Sequence, residues 1–175
     1  MPNSPRLRAI LIAVLLMPLA LLAQPRPKSS WRAATPAELE SVLPARAPVE
    51  KERIETELRT ATGITDAHGH TIAAVVLITA GYAANGKYSH FLLVQSPLAL
   101  GPDLHLVPGS YVLGWTRTED GLLVHVFEAA TGTERGTFVA RIPKTPTKVE
   151  PFKIWPPADR SVIQIGRFLA PYSLE

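Results

Sequence analysis

Apolar and polar positions divide this chain into three patterns. Ala9 to Ala23 is apolar throughout, broken only by Pro18. The next stretch, to Pro48, is mixed and carries Pro25, Pro27, Pro36, Pro44 and Pro48. Beyond it, short apolar runs rich in valine, leucine and isoleucine alternate with breaks containing glycine, asparagine or aspartate.

The third pattern predicts strands. Thr71 to Tyr82 and Tyr88 to Gln95 flank Asn85-Gly86, a strong short hairpin signal because both turn residues need positive φ. Leu104 to Val107 leads into Pro108-Gly109, which suits the centre of a type II turn, and Tyr111 to Thr116 follows. Asp120-Gly121 and Thr131-Gly132 turn the chain into Leu122 to Glu128 and then Gly136 to Ile142. Phe152 to Trp155 and Val162 to Phe168 end the series. Closely spaced strands joined by local turns predict an all-β fold, mainly an antiparallel β-sandwich, with a β-barrel as runner-up. Several strands are apolar on both faces. Leu122, Val124 and Val126 share one side of their strand, and Leu123, His125 and Phe127 share the other. Such strands are central, or something covers their second face.

One short N-terminal helix is expected. Thr35 can cap it, Pro36 suits its first position, and Glu38 completes a capping box. Pro44 stops it near Leu43. Two turns of helix need tertiary support, and covering a sheet face would supply it. Glu50 to Asp66 fits two patterns. Ile54, Leu58 and Ala61 suit a helix, but Ile54, Thr56, Leu58, Thr60, Thr62 and Ile64 alternate strictly, so an extended strand is expected. The acids at positions 38, 40, 50, 52, 55 and 57 read as a solvated face.

Composition sharpens this picture at three points. With 175 residues, 46% apolar and 19% charged, the chain can pack one domain and is too weakly charged to be disordered. Its 17 prolines argue against an all-helical fold. The absence of cysteine excludes a disulfide scaffold, a thiolate zinc site and a cysteine nucleophile.

The first pattern is a targeting signal. Arg6 and Arg8 precede an apolar stretch that would reach only about 22 Å as a helix, against a bilayer core of roughly 30 Å. A basic start, a short apolar region and small Ala23 describe a secretory signal peptide over 1–23, cut between Ala23 and Gln24. Leu21, three residues before that bond, is larger than ideal. The alternative is an uncleaved, tilted N-terminal anchor, the one route by which this chain is expected to meet a membrane. No cysteine follows the apolar stretch, which excludes a lipoprotein anchor. The expected organisation is a signal peptide (1–23), a proline-containing tether with a short helix (24–48) and a single β domain (49–175), exported to the periplasm or the extracellular space. Losing Arg6 and Arg8 lowers the net charge from +3 to +1. The remaining basic residues are dispersed, so nucleic acid is not an expected partner.

Candidate chemistry is sparse. Asp66-Ala67-His68-Gly69-His70 places two histidines at a spacing that on a strand points both to one side, and Asp103-Leu104-His105 adds a second carboxylate–imidazole pair. Asp66, His68, His70 and His105 could together hold a divalent metal and support a metal-dependent hydrolase. The simpler alternative is a turn between strands, with Asp66 and Gly69 as its turn residues. No other cofactor is expected. His125 lies in an apolar strand, where it could titrate near neutrality, and His90 follows the Asn-Gly hairpin and is expected to be exposed. Ser110 sits in Pro-Gly-Ser-Tyr, which is not a nucleophile elbow. Gly81 to Lys87 has the glycine and lysine spacing of a phosphate-binding loop, but Tyr88 stands where serine or threonine should, and a strand follows instead of a helix. Tyr111 and Trp115 share a strand face that could form the wall of a site for an apolar or sugar ligand; half of the sandwich core is the plainer account. Ile154-Trp155-Pro156-Pro157 is an apolar corner, either packed or open to a partner.

These features favour an exported, non-catalytic β-sandwich module with a structural role or a protein- or envelope-binding role. A small-ligand-binding β-barrel and the metal-dependent hydrolase are the alternatives.

Overall fold

The computed structural model describes residues 31–79 and 86–175. The leader, the start of the tether and the Gly81 to Asn85 part of the first hairpin lie outside these residues. The chain forms β1 (Arg32–Ala33), α1 (Pro36–Val42), β2 (Arg46–Val49), β3 (Glu52–Glu55), a 3₁₀ turn (Leu58–Thr60) and β4 (Thr62–Thr65). There follow β5 (Thr71–Leu77), β6 (His90–Val94), β7 (Leu98–Leu100), β8 (Leu104–Leu106), β9 (Gly109–Thr118) and β10 (Gly121–Glu128). The last four strands are β11 (Glu134–Ala140), β12 (Glu150–Ile154), β13 (Val162–Gly166) and β14 (Phe168–Leu174).

The strands build a seven-stranded sheet in the order β1-β4-β5-β6-β9-β10-β11, a five-stranded sheet in the order β12-β13-β14-β7-β8, and the hairpin β2-β3. Pairing is antiparallel throughout. The layout is sandwich-like. Leu92, Val94, Leu113, Val124 and Val126 of the large sheet pack against Leu98, Leu100, Ile154, Ile163 and Ile165 of the smaller one, so side chains fill the space between the sheets. The sheets also meet at one edge. There Arg141 and Leu169 exchange two backbone hydrogen bonds of 2.9 and 2.8 Å.

A third layer covers the opposite face of the large sheet. Leu39 and Leu43 of the helix region and Ala47, Val49 and Ile54 of the hairpin pack on Ala74, Val76, Phe91 and Val112. This layer explains why β5 is apolar on both sides. The helix is held as its local sequence specifies. The Thr35 hydroxyl accepts from the Glu38 N–H, and the Glu38 carboxylate accepts from the Thr35 N–H at 2.8 Å. Arg32 grips the same carboxylate at 2.6 and 2.9 Å and, with the Thr35 N–H, holds it down to about 2.

Several sequence expectations need correction. Residues from Trp31 to Pro48 are not tether: β1 pairs with β4, and Leu39, Leu43 and Ala47 are buried in the outer layer. Glu50 to Asp66 is not one strand. The chain leaves the hairpin layer at Thr56, makes the 3₁₀ turn and enters the large sheet as β4. The Thr60 hydroxyl accepts the Leu77 N–H at 3.1 Å and fixes that crossing. Pro108-Gly109 is not the centre of a type II turn. β8 belongs to the small sheet and β9 to the large one, so the chain changes sheets there, and Gly109 has no positive φ. The final expected strand is two strands, folded back at Gly166 (φ 61°) with Ile165 opposite Phe168.

Candidate functional site

Asp66 organises the β4–β5 turn. One carboxylate oxygen accepts the His68 N–H at 2.7 Å and the His70 N–H at 2.9 Å, and the other lies 3.0 Å from His70 Nδ1. Burial would raise this carboxyl, but the backbone N–H of His70, then its ring and the His68 N–H, outweigh it and lower the pKa. The histidines therefore sit on a turn and not on a strand, with ring centroids 6.1 Å apart. His105 belongs to β8 in the other sheet and pairs with Glu175 at 2.6 Å. The four proposed ligands do not converge. Among the described residues no group of three or more histidine, aspartate or glutamate side chains could hold a metal ion.

Tyr111 does not form a ligand wall either. Its ring is buried between the sheets, and its hydroxyl donates to the Val107 carbonyl at 2.8 Å. Trp115 is half-buried against the same core, with ring centroids 5.2 Å from His90 and 6.4 Å from Phe152. His90 was expected to be exposed, yet it is only 8% exposed, because it alternates with Leu92 and Val94 and so faces the inter-sheet core. Burial pushes its pKa down to about 4. Its Nδ1 lies 3.1 Å from the Ser89 hydroxyl, which lies 3.2 Å from the Leu113 carbonyl oxygen.

The feature that sequence reasoning missed lies on the other face of the large sheet, past the end of the helix–hairpin cover. A shallow cleft of about 310 Å³ is lined by Gly86, Lys87, Thr116, His125 and Phe127. Its floor is Gly114, directly across from His125 in the β9–β10 register. A Cβ at Gly114 would collide with the Lys87 carbonyl oxygen, so glycine is what lets the post-hairpin segment lie on the sheet. Lys87 Nζ stands 4.0 Å from the Phe127 ring centroid and 5.0 Å from that of Tyr88. The two rings meet edge to face at 5.3 Å. His125 stacks on Phe127 at 6.1 Å, and its Nδ1 lies 2.7 Å from Glu134 Oε1. A carboxylate can only accept, so Nδ1 is the donor of this pair. Beside the cleft, Glu50 ties the hairpin layer to the sheet: its N–H donates to the Ala129 carbonyl, and its carboxylate accepts the Tyr88 hydroxyl at 2.6 Å. Burial, followed by that carboxylate, pushes the Tyr88 phenol up. Glu50 has φ 51°, a strained conformation for a glutamate.

The cleft joins a cation, an aromatic wall and an oriented imidazole. That combination can seat an anionic group on Lys87 with its apolar neighbour against Phe127. Two sequence signals pointed this way: Lys87 directly after the Asn-Gly turn, and the alternation that put His125 and Phe127 on one face. Neither tells which part of that face stays uncovered. No protein-family model, curated protein or solved structure matches this chain.

Proposed function

We propose that this protein is an exported, non-catalytic β-sandwich module that binds a protein or envelope component at the Lys87–His125–Phe127 cleft. Arg6, Arg8 and the apolar stretch to Ala23 support export. The observation that carries the binding role is the Lys87 ammonium, held over an aromatic ring where the helix–hairpin cover of the sheet ends. Cation, ring and imidazole converge there on one hollow, as recognition sites require. The nearest approach to a nucleophile–base pair, Ser89 with His90, favours a non-catalytic role. A histidine pushed to about 4 by burial is a weak base at neutral pH.

The test is cross-linking in a bacterial host that exports the chain. A photoreactive amino acid replaces exposed Thr116, and the processed protein is sequenced from its N-terminus. The expected results are a mature start at Gln24 and a discrete adduct that Lys87→Glu abolishes. Retention of the full leader in the cytoplasm would end the export proposal. An adduct indifferent to Lys87→Glu would end the proposed binding site, and turnover of an ester, glycoside or peptide substrate would end the non-catalytic one.

A further inference from the structure

The layer opposite the cleft carries a surface of different character. Two of the three exposed large apolar residues among those described, Ile142 (55%) and Val149 (65%), lie at the two ends of one segment between β11 and β12. Together with Pro143, Pro146 and Arg167 they line a hollow of about 270 Å³. Lys144 and Lys148 stand between them in sequence; the Lys148 side chain is 85% exposed and its Nζ lies 3.2 Å from Glu150 Oε1, a surface pair that lipid phosphate can compete for.

This segment is fastened to the outer face of the small sheet. Gln164 alternates with inward-facing Ile163 and Ile165, so it points away from the sandwich, yet it is fully buried. Its amide donates to the Lys148 carbonyl at 2.6 Å and the Gly166 carbonyl at 2.9 Å, and its oxygen accepts the Trp155 indole N–H at 2.9 Å. Trp155 is in turn bracketed by Lys153 Nζ at 3.9 Å and the Arg160 guanidinium at 4.4 Å from its ring. One buried glutamine thus joins an aliphatic pair, a tryptophan and a set of basic side chains into a single surface.

We infer that this surface docks on an anionic phospholipid bilayer. Basic side chains at that depth match lipid phosphates. Tryptophan with flanking lysine and arginine suits the headgroup boundary. Exposed isoleucine and valine gain by entering the acyl edge, and a soluble polyanion would give them no such gain. Pro143 and Pro146 contribute as well: they have no N–H to desolvate as the segment enters the interface. Because the cleft lies on the opposite face of the large sheet, docking here leaves it pointing away from the lipid. The surface is separate from the cleft, and its test does not depend on whether the cleft binds anything.

The absence of cysteine makes that test direct. Full-length Val149→Cys and Ile142→Cys proteins carry an environment-sensitive fluorophore, with Val107→Cys, the third exposed apolar position, as control. Phosphatidylglycerol vesicles should shift emission to the blue at 149 and 142 but not at 107, and phosphatidylcholine vesicles should shift none. Adding Lys144→Gln should weaken binding about 5-fold, the factor for one lysine near an anionic leaflet. No shift with anionic vesicles would overturn the inference. An equal shift at 107 would also overturn it, as would equal affinity for dextran sulfate.

Discussion

The two faces of the seven-stranded sheet are buried by different means. One lies against a second sheet, whose strands span it and lock to it at Arg141 and Leu169. The other lies under a seven-residue helix and a two-stranded hairpin, which cover only part of it. Sheet-on-sheet packing gives a continuous core and little room for chemistry, which is where Tyr111 and His90 end up. Patchwork cover leaves a gap, and the gap keeps Lys87 and His125 in reach of solvent beside the buried Phe127. In this fold the complete interface buries its polar groups, and the incomplete one leaves room for the proposed binding site.

Substitutions on the two sides should separate these roles. The largest effect is expected from Leu92→Ala, in the middle of the inter-sheet core with no exposed surface. It should cost about 2–5 kcal/mol in urea unfolding. A loss under 1 kcal/mol would mean that the sheets pack less tightly than described.

The next effect is pH dependence on the same side. His90 is depressed to about 4 from 6.5, so the folded state excludes a proton that the unfolded state binds. Its contribution is complete above pH 6.5, falls as pH drops toward 4, and levels off below. The loss across that window is roughly 3 kcal/mol. Unfolding midpoints between pH 7 and 4 should fall, and His90→Phe should flatten that slope. An unchanged slope would place the titrating group elsewhere.

The smallest effect belongs to the partial cover. Thr35→Ala removes one half of the capping box and should cost about 1 kcal/mol. Hydrogen exchange should rise first in α1, with β6 and β10 unaffected. Equal loss of protection across both sheets would contradict the contrast between the two sides.

Legibility from sequence followed the range of the interaction. The Thr35–Glu38 box and the hairpins closed at Asp120-Gly121 and Thr131-Gly132 depend on neighbours a few residues apart, and each was readable. Pro108-Gly109 carries the same local vocabulary but marks a change of sheet, because Leu104 and Leu106 pair with β7 while Tyr111 pairs with β6 and β10. The alternation from Ile54 to Ile64 satisfied a strand pattern although the chain changes layers half-way. Period two records only which side is apolar, not which sheet that side faces. The same limit hid the cleft, since the partly exposed His125 and the buried Phe127 carry the same alternation signal.

The strand order of the small sheet also sets a timetable. β14 runs between β13 and β7, so the β7–β8 pair gains its inner neighbour only from strands made much later in synthesis. The His105–Glu175 pair, 70 residues apart, marks the span of that wait. Until β14 emerges, the inter-sheet core lacks Phe168, Ala170 and Tyr172, and the small sheet is split between β13 and β7. Contacts of such long range also slow folding. Under the export proposed above, that delay would keep the chain fit for transport until most of its length has been made.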